Sequence, residues 1–136
     1  MKNLENKTTA AQIMNKPVVT IGLCETVEDA IRKMQERHVN WLVVEEDGFP
    51  VGLITRDLII SLVILEGVKP YKKTVQDLMT DLDTCFEADS DIRTVMNYML
   101  KAGEDATVIT EKDKIAGFIS LGDIFRHIHE GKIPQE

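Results

Sequence analysis

The chain repeats itself at a fixed spacing, and this repeat constrains the fold more than any other feature of the sequence. An offset of 65 residues places Met79 on Met14 and then aligns apolar residues with apolar residues, without a gap, over most of both halves. Repeated supersecondary units bury their apolar faces against each other, so we expect two copies of one small unit that share a core. The other matched pairs are Thr9 with Thr74, Ile13 with Leu78, Ile21 with Phe86, Val27 with Ile92, Ala30 with Val95, Met34 with Met99, Val43 with Val108, Val44 with Ile109 and Gly52 with Gly117.

Both copies begin with the same local patterns. A short helical start leads into a strand near residues 18–21 or 84–86, and a helix follows. Thr26 and Asp29 form a capping-box pattern in the first copy, and Asp91 is a candidate N-cap in the second. The stripes that follow are apolar at i, i+3, i+4 and i+7 and predict buried helix faces. They comprise Val27, Ala30, Ile31 and Met34, and then Ile92, Val95, Met96 and Met99.

Two strands and a final helix complete each copy. Residues 41–44 and 51–54 flank Asp47 and Gly48, and Asp-Gly is a strong hairpin signal. The matching strands are residues 106–110 and 114–119, and the final helices are residues 58–65 and 124–128. Each copy therefore follows the order β-α-β-β-α, and the fold class is mixed α/β (α+β).

Charge and composition exclude several classes of protein. The net charge is −7, and the sequence lacks the stripe of basic residues that is typical of a nucleic-acid binder. No apolar run approaches the roughly 18 residues that span a bilayer, and the polar start lacks the apolar core of a signal peptide. Cys24 and Cys85 form no disulfide framework and are expected to be reduced thiols. The sequence predicts a cytoplasmic protein without a membrane or nucleic-acid partner.

Several segments together resemble the CBS domain family. They are residues 11–14, 43–48 and 51–58 in the first copy, and 75–79 and 115–124 in the second. The resemblance covers roughly residues 9 to 130 and implies two CBS domains packed as a pseudo-two-fold pair, a Bateman module. It divides the chain into an N-terminal tail (1–8), CBS domain 1 (9–66), a linker (67–73), CBS domain 2 (74–130) and a C-terminal tail (131–136).

The resemblance also implies a ligand. In this family the clefts between the two domains hold AMP, ADP, ATP or S-adenosylmethionine, and the nucleotide motif is Gly-apolar-x-Ser/Thr-x-x-Asp. The second copy matches it with Gly117, Phe118, Ser120 and Asp123. A carboxylate such as Asp123 can accept hydrogen bonds from both ribose hydroxyls, and Ser120 with the following helix start can hold a phosphate. The alternative is that Asp123 only caps its helix.

Further contacts in the cleft are implied by the resemblance alone. The adenine slot of the Asp123 site would involve Asn15, Pro17 and Val19 entering the first strand, and Val39, Asn40 and Trp41 entering the second. Arg56 would reach the phosphate, because arginine suits phosphate recognition, or it is an ordinary surface arginine.

The first copy departs from the motif. Asp57 comes one residue early after Gly52 and Thr55, and Leu58 holds the position of the ribose aspartate. We interpret this as a one-residue deletion, with Asp57 capping its helix and Thr55 still available to a second ligand. The sequence therefore predicts one working site and a second that is weak or empty.

Three other functions were weighed. An enzyme is not expected, because no nucleophile or phosphate-loop motif is present. His127, His129 and Glu130 make only a weak metal pattern, and a solvated helix end is the simpler interpretation, so neither a metal nor a cofactor is expected. The apolar helix at residues 59–65 favours a homodimer through the helices or a partner-binding scaffold. The leading hypothesis is a regulatory module that senses an adenosine nucleotide and signals to an unknown effector protein.

Overall fold

The computed structural model describes residues 7–82, 84–131 and 133. The helices and strands follow the predicted order, with a short helix at the start of each copy and one additional short strand, Thr80–Asp81, in the second copy. In chain order they are α1 (Ala10–Ile13), β1 (Thr20–Gly22), α2 (Val27–Arg37), β2 (Trp41–Glu46), β3 (Phe49–Thr55), α3 (Arg56–Glu66), α4 (Val75–Leu78), β4 (Thr80–Asp81), β5 (Phe86–Glu87), α5 (Ile92–Ala102), β6 (Ala106–Glu111), β7 (Lys114–Ser120) and α6 (Leu121–His129). The predicted mixed fold with two β-α-β-β-α copies is confirmed.

The chain forms two compact units that do not follow the repeat boundaries. The central unit is Val18–Asp83, and the terminal unit combines Met1–Pro17 with Thr84–Glu136. The boundaries 9–66 and 74–130 describe the copies in the sequence, whereas the units exchange the segment with which each copy begins.

The central unit contains the sheet of the first copy and the first strand of the second. Its strand order is β1-β2-β3-β4, with β1 parallel to β2 and the other pairs antiparallel. β4 lies at the edge, where Thr80 is opposite Leu53. Its core includes Ile21, Leu42 and Ile54, which are fully buried.

The terminal unit repeats this arrangement, with the sheet of the second copy joined by the segment that begins the first copy. Its sheet order is β5-β6-β7, and Asn15 forms an antiparallel bridge to Phe118 on β7, the same pairing as Thr80 with Leu53 at the 65-residue offset. Two residues that were assigned to the tails also take part: the Ile92 amide donates to the Thr8 carbonyl over 2.8 Å, and Ile133 packs against the core.

The predicted helix starts are present. Thr26 caps α2 in a capping box, and Asp91 caps α5. Hydrogen bonds from the Thr26 backbone amide and hydroxyl lower the pKa of Asp29, as expected for a carboxylate that accepts bonds in its charged form. These caps fix the helices that follow the outer strand of each sheet.

The hairpin turns keep one shape with different residues. Asp47 and Gly48 both have positive φ, 54° and 87°, which matches the turn preferred between antiparallel strands. In the second copy Lys112 and Asp113 adopt positive φ, 54° and 69°, without a glycine. Tertiary pairing of β6 with β7 therefore holds a turn that the local sequence does not favour.

Candidate functional site

The start of α6 brings Ser120 and Asp123 together. Ser120 is the N-cap, and its hydroxyl oxygen accepts a hydrogen bond from the Asp123 amide over 3.2 Å. In return, the Ser120 amide and hydroxyl donate to Oδ2 of Asp123 over 3.2 and 2.6 Å. Asp123 is thus the third helical residue of a capping box and not the N-cap itself. Its carboxylate does cap the Ser120 amide, so a purely capping role stays open.

Asn15 joins this site from the start of the chain. Its side-chain amide Nδ2 donates to the same Oδ2 of Asp123. Its backbone is held on β7, because the Asn15 amide donates to the Phe118 carbonyl over 2.8 Å and the Phe118 amide donates back over 3.2 Å. Asn15 belongs to the first copy in the sequence but lies in the same unit as Asp123.

Gly117 explains why the motif begins with glycine. A Cβ at this position would lie 2.9 Å from the carbonyl oxygen of Asn15, which is closer than real contacts allow. In the central unit, a Cβ at Gly52 would lie at the same distance from the carbonyl oxygen of Thr80. Glycine is needed wherever another backbone approaches a strand this closely, so this element of the motif serves the fold in both copies.

Arg126 is a residue of the site that the sequence analysis missed. Its guanidinium Nη1 lies 3.3 Å from Oδ1 of Asp123, whose side chain is only 13% exposed. The pair is spaced i, i+3 on a helix, a spacing that brings side chains together and could have been found in the sequence. Asp123 therefore has hydrogen-bond donors on one oxygen and a cation at the other.

His127 is buried, contrary to the prediction of a solvated helix end. Its side chain is 9% exposed, and Nδ1 has no hydrogen-bond partner among the described residues. The repeat held the signal for this burial, because the 65-residue offset places His127 on Leu62, an apolar position of the first copy. His129 is exposed, and within the described ranges no cluster of His, Cys, Asp or Glu is arranged to hold a metal.

The remaining predicted contacts lie near their predicted strands. Pro17 is exposed in the terminal unit, two residues after Asn15. In the central unit Val19 and Val39 pack on the core, and Trp41 begins β2 opposite Thr55. Their roles toward a ligand stay predictions of the resemblance.

Arg56 and Asn40 are in contact within the central unit. Nη1 of Arg56 donates to the Asn40 side-chain carbonyl over 3.2 Å, and Nε lies 3.4 Å from Asp57. Both residues border a groove of about 710 Å³ between α2 and α3, with Val39, Met34 and Ile59 among its apolar residues. Arg56 is therefore bonded to polar side chains at the edge of a groove that is largely apolar.

The first copy carries a substitution at the aspartate position and not a deletion. Thr55 is the N-cap of α3, and its hydroxyl oxygen accepts from the Leu58 amide over 3.1 Å. These residues correspond to Ser120 and Asp123 at the unchanged 65-residue offset. The predicted one-residue deletion is therefore wrong.

Asp57 does not have the predicted capping role. Its side chain is 86% exposed and lies beside Arg56, while Thr55 occupies the N-cap. The carboxylate of the motif is simply absent from this copy.

Comparison with known proteins agrees with the duplicated fold and the motif. The family model for the CBS domain matches residues 10–64 and again residues 75–130. The chain belongs to the CBS domain family. The two matches correspond to the two copies of the repeat.

Individual relatives are distant but extend over most of the chain. Hypoxic response protein 1 of Mycobacterium tuberculosis is 28% identical over 130 residues, covering 94% of this chain and 90% of that protein. The crystal structure of Hypoxic Response Protein I with two coordinated zinc ions matches with a TM-score of 0.78 at 26% identity, covering 88% of this chain and 98% of that one.

A second solved structure shares the fold. The CBS domain pair of protein MJ0100, in complex with 5′-methylthioadenosine and S-adenosyl-L-methionine, matches with a TM-score of 0.78 at 22% identity, covering 93% of this chain and 98% of that one. CBS domain pairs are typically regulatory ligand-binding modules, and the chain is a CBS domain pair. No helix among the described residues is long and apolar enough to cross a membrane.

Proposed function

We propose that the chain is a sensor that binds an adenosine nucleotide, AMP, ADP or ATP, through Asp123 and Ser120 and passes the signal to an effector protein without catalysing a reaction. Asp123 would accept hydrogen bonds from the ribose hydroxyls, and Ser120 with the start of α6 would face the phosphate. Such signalling requires the ligand to bind one arrangement of the protein better than another.

The observation that carries this proposal is that the corresponding helix of the other copy begins without a carboxylate or a capping box. α3 begins with the same N-cap geometry as α6, with Leu58 where α6 has Asp123. The first copy therefore shows that a helix at this position forms without the carboxylate. A charged side chain that is only 13% exposed carries a desolvation cost, and a ligand with hydroxyl donors gives a reason to retain it.

The acceptor and the cation at this site together suit a polar ligand. Oδ1 of Asp123 lies 3.3 Å from Nη1 of Arg126, and a carboxylate offers about four acceptor positions in all. A ribose diol can bond to both oxygens, and Arg126 is then in reach of neighbouring negative charge on the ligand. This combination of acceptor and cation matches a nucleotide better than an apolar ligand.

A thermal-shift series with AMP, ADP, ATP and S-adenosylmethionine tests the proposal. S-adenosylmethionine belongs in the series because a CBS pair of the same fold was crystallised with it. Ligand at a hundred times its dissociation constant adds about 2.7 kcal/mol to the free energy of unfolding, which raises the melting temperature by several degrees.

Two variants make the series specific. Asp123→Ala is expected to lose the shift, and Asp57→Ala, which removes an exposed carboxylate from the other copy, is expected to keep it. A shift that survives in Asp123→Ala would contradict the proposed site, and the absence of a shift with all four compounds would contradict nucleotide sensing.

A scaffold is the second candidate, supported by exposed apolar side chains. Ile60 and Ile64 on α3 are 53% and 73% exposed, and Phe125 on α6 is 76% exposed. Exposed apolar surface of this kind marks interaction sites and fits a homodimer formed through the helices. A scaffold would associate equally well with and without the four compounds, which separates it from a ligand sensor.

A further inference from the structure

Asn15 occupies an acceptor that the proposed ligand needs. Oδ2 of Asp123 receives three donors, the Ser120 amide, the Ser120 hydroxyl and the Asn15 side-chain amide. A carboxylate oxygen has two lone pairs, so this oxygen is fully engaged before any ligand arrives. A diol that bonds to both carboxylate oxygens must displace one of the three donors.

The Asn15 amide is the donor that can leave. Both Ser120 groups are held beside Asp123 by the helix start itself, because the Ser120 hydroxyl also accepts a hydrogen bond from the Asp123 amide. The Asn15 backbone, in contrast, is fixed to Phe118 by its own two hydrogen bonds. Rotation of the Asn15 side chain therefore breaks the bond to Asp123 without disturbing the sheet.

The other copy lacks both partners of this bond. The 65-residue offset places Asn15 on Thr80 and Asp123 on Leu58, and Thr80 takes the same place beside its sheet, opposite Leu53. The backbone pairing is thus kept without the amide. The amide is present in the unit that has the carboxylate, so its role concerns the carboxylate and not the strand.

We propose that Asn15 competes with the ligand for Asp123 and thereby sets the affinity of the site, an inference that rests on the proposed nucleotide function. In the free protein the Asn15 amide satisfies the carboxylate. Binding of a ribose diol replaces that amide with a ligand hydroxyl and releases the Asn15 side chain. Asn15 is then a determinant of affinity that acts against binding, the opposite of the favourable contact implied by the family resemblance.

Calorimetric titration with AMP and with 2′,3′-dideoxy-AMP tests this inference on the full chain. The variants are Asn15→Ala and Asn15→Thr, the second carrying the residue that the other copy has at this place. Both variants are expected to bind AMP about tenfold more tightly, the factor that one hydrogen bond to a charged group is worth. The dideoxy compound lacks the diol, so its affinity is expected to be unchanged by either substitution.

A spectroscopic readout separates competition from a structural effect. In ¹⁵N-labelled wild type, AMP is expected to shift the Asn15 side-chain amide resonances in the direction that Asp123→Ala shifts them without ligand. Asn15 variants that bind AMP with equal or lower affinity than wild type would overturn the competition while leaving the nucleotide function intact. AMP binding by neither wild type nor the Asn15 variants would overturn the proposed function and the competition with it.

Discussion

The starts of α3 and α6 are the same structure with different chemistry. Each helix has a hydroxyl residue, Thr55 or Ser120, as its N-cap. Each also follows a strand that contains a glycine, Gly52 or Gly117, which another segment of backbone approaches closely. Beyond this frame the residues diverge. Arg56 and Asp57 correspond to the less polar Leu121 and Gly122, whereas four other positions differ in the opposite sense or in their polar group. At the 65-residue offset Leu58 becomes Asp123, Ser61 becomes Arg126, Leu62 becomes His127 and Thr80 corresponds to Asn15.

Within one chain, this difference separates the features that folding explains from those that it does not explain. Features present in both copies are explained by folding, because both copies fold. Features present in only one copy need another explanation, and Asn15 and Arg126 both contact Asp123. The internal repeat thus serves as a control for interpreting the motif.

The largest stability effect is expected at the shared glycines. Gly117→Ala and Gly52→Ala would each place a Cβ 2.9 Å from a backbone carbonyl oxygen, and such overpacking costs about 1–3 kcal/mol. Urea unfolding should show a similar loss for both variants. A loss at Gly117 alone would break the comparison, because it would mean that the two copies do not share this contact.

A stability effect of opposite sign is expected at His127. His127→Leu installs the residue of the other copy and removes a buried Nδ1 that has no partner among the described residues. A buried polar group left without a partner costs about 1–3 kcal/mol, so the variant should unfold at a higher urea concentration. The reciprocal change, Leu62→His, should lower the free energy of unfolding, and a stabilised Leu62→His would contradict the burial argument.

Much of the fold could be predicted from the sequence because its signals are local. The Thr26–Asp29 capping box, the Asp91 cap and the Asp47-Gly48 turn all involve neighbouring residues, and all are present. The exchange of segments between the units could not be predicted. Residues 9–14 and 74–79 carry nearly the same pattern, so the sequence does not state which hairpin each one joins.

The candidate site was predicted in part. Asp123 and Ser120 came from the motif, and Asn15 came from the family resemblance without its hydrogen bond to Asp123. The deletion predicted beside Asp57 was wrong, because an aspartate one residue away suggested a shift of register. The structure shows that the N-cap of α3 lies at the unshifted position, with the Thr55 hydroxyl bonded to the Leu58 amide, and that only the side chain has changed.

Binding stoichiometry tests the central claim most directly. Calorimetric titration of the full chain with the compound that gives the largest thermal shift should yield one ligand per chain, and Asp123→Ala should reduce the affinity by about a hundredfold, as expected for two lost hydrogen bonds to a charged group. Two equivalent ligands per chain, or unchanged affinity in Asp123→Ala, would contradict the account, since binding would then not depend on the carboxylate that distinguishes the two copies.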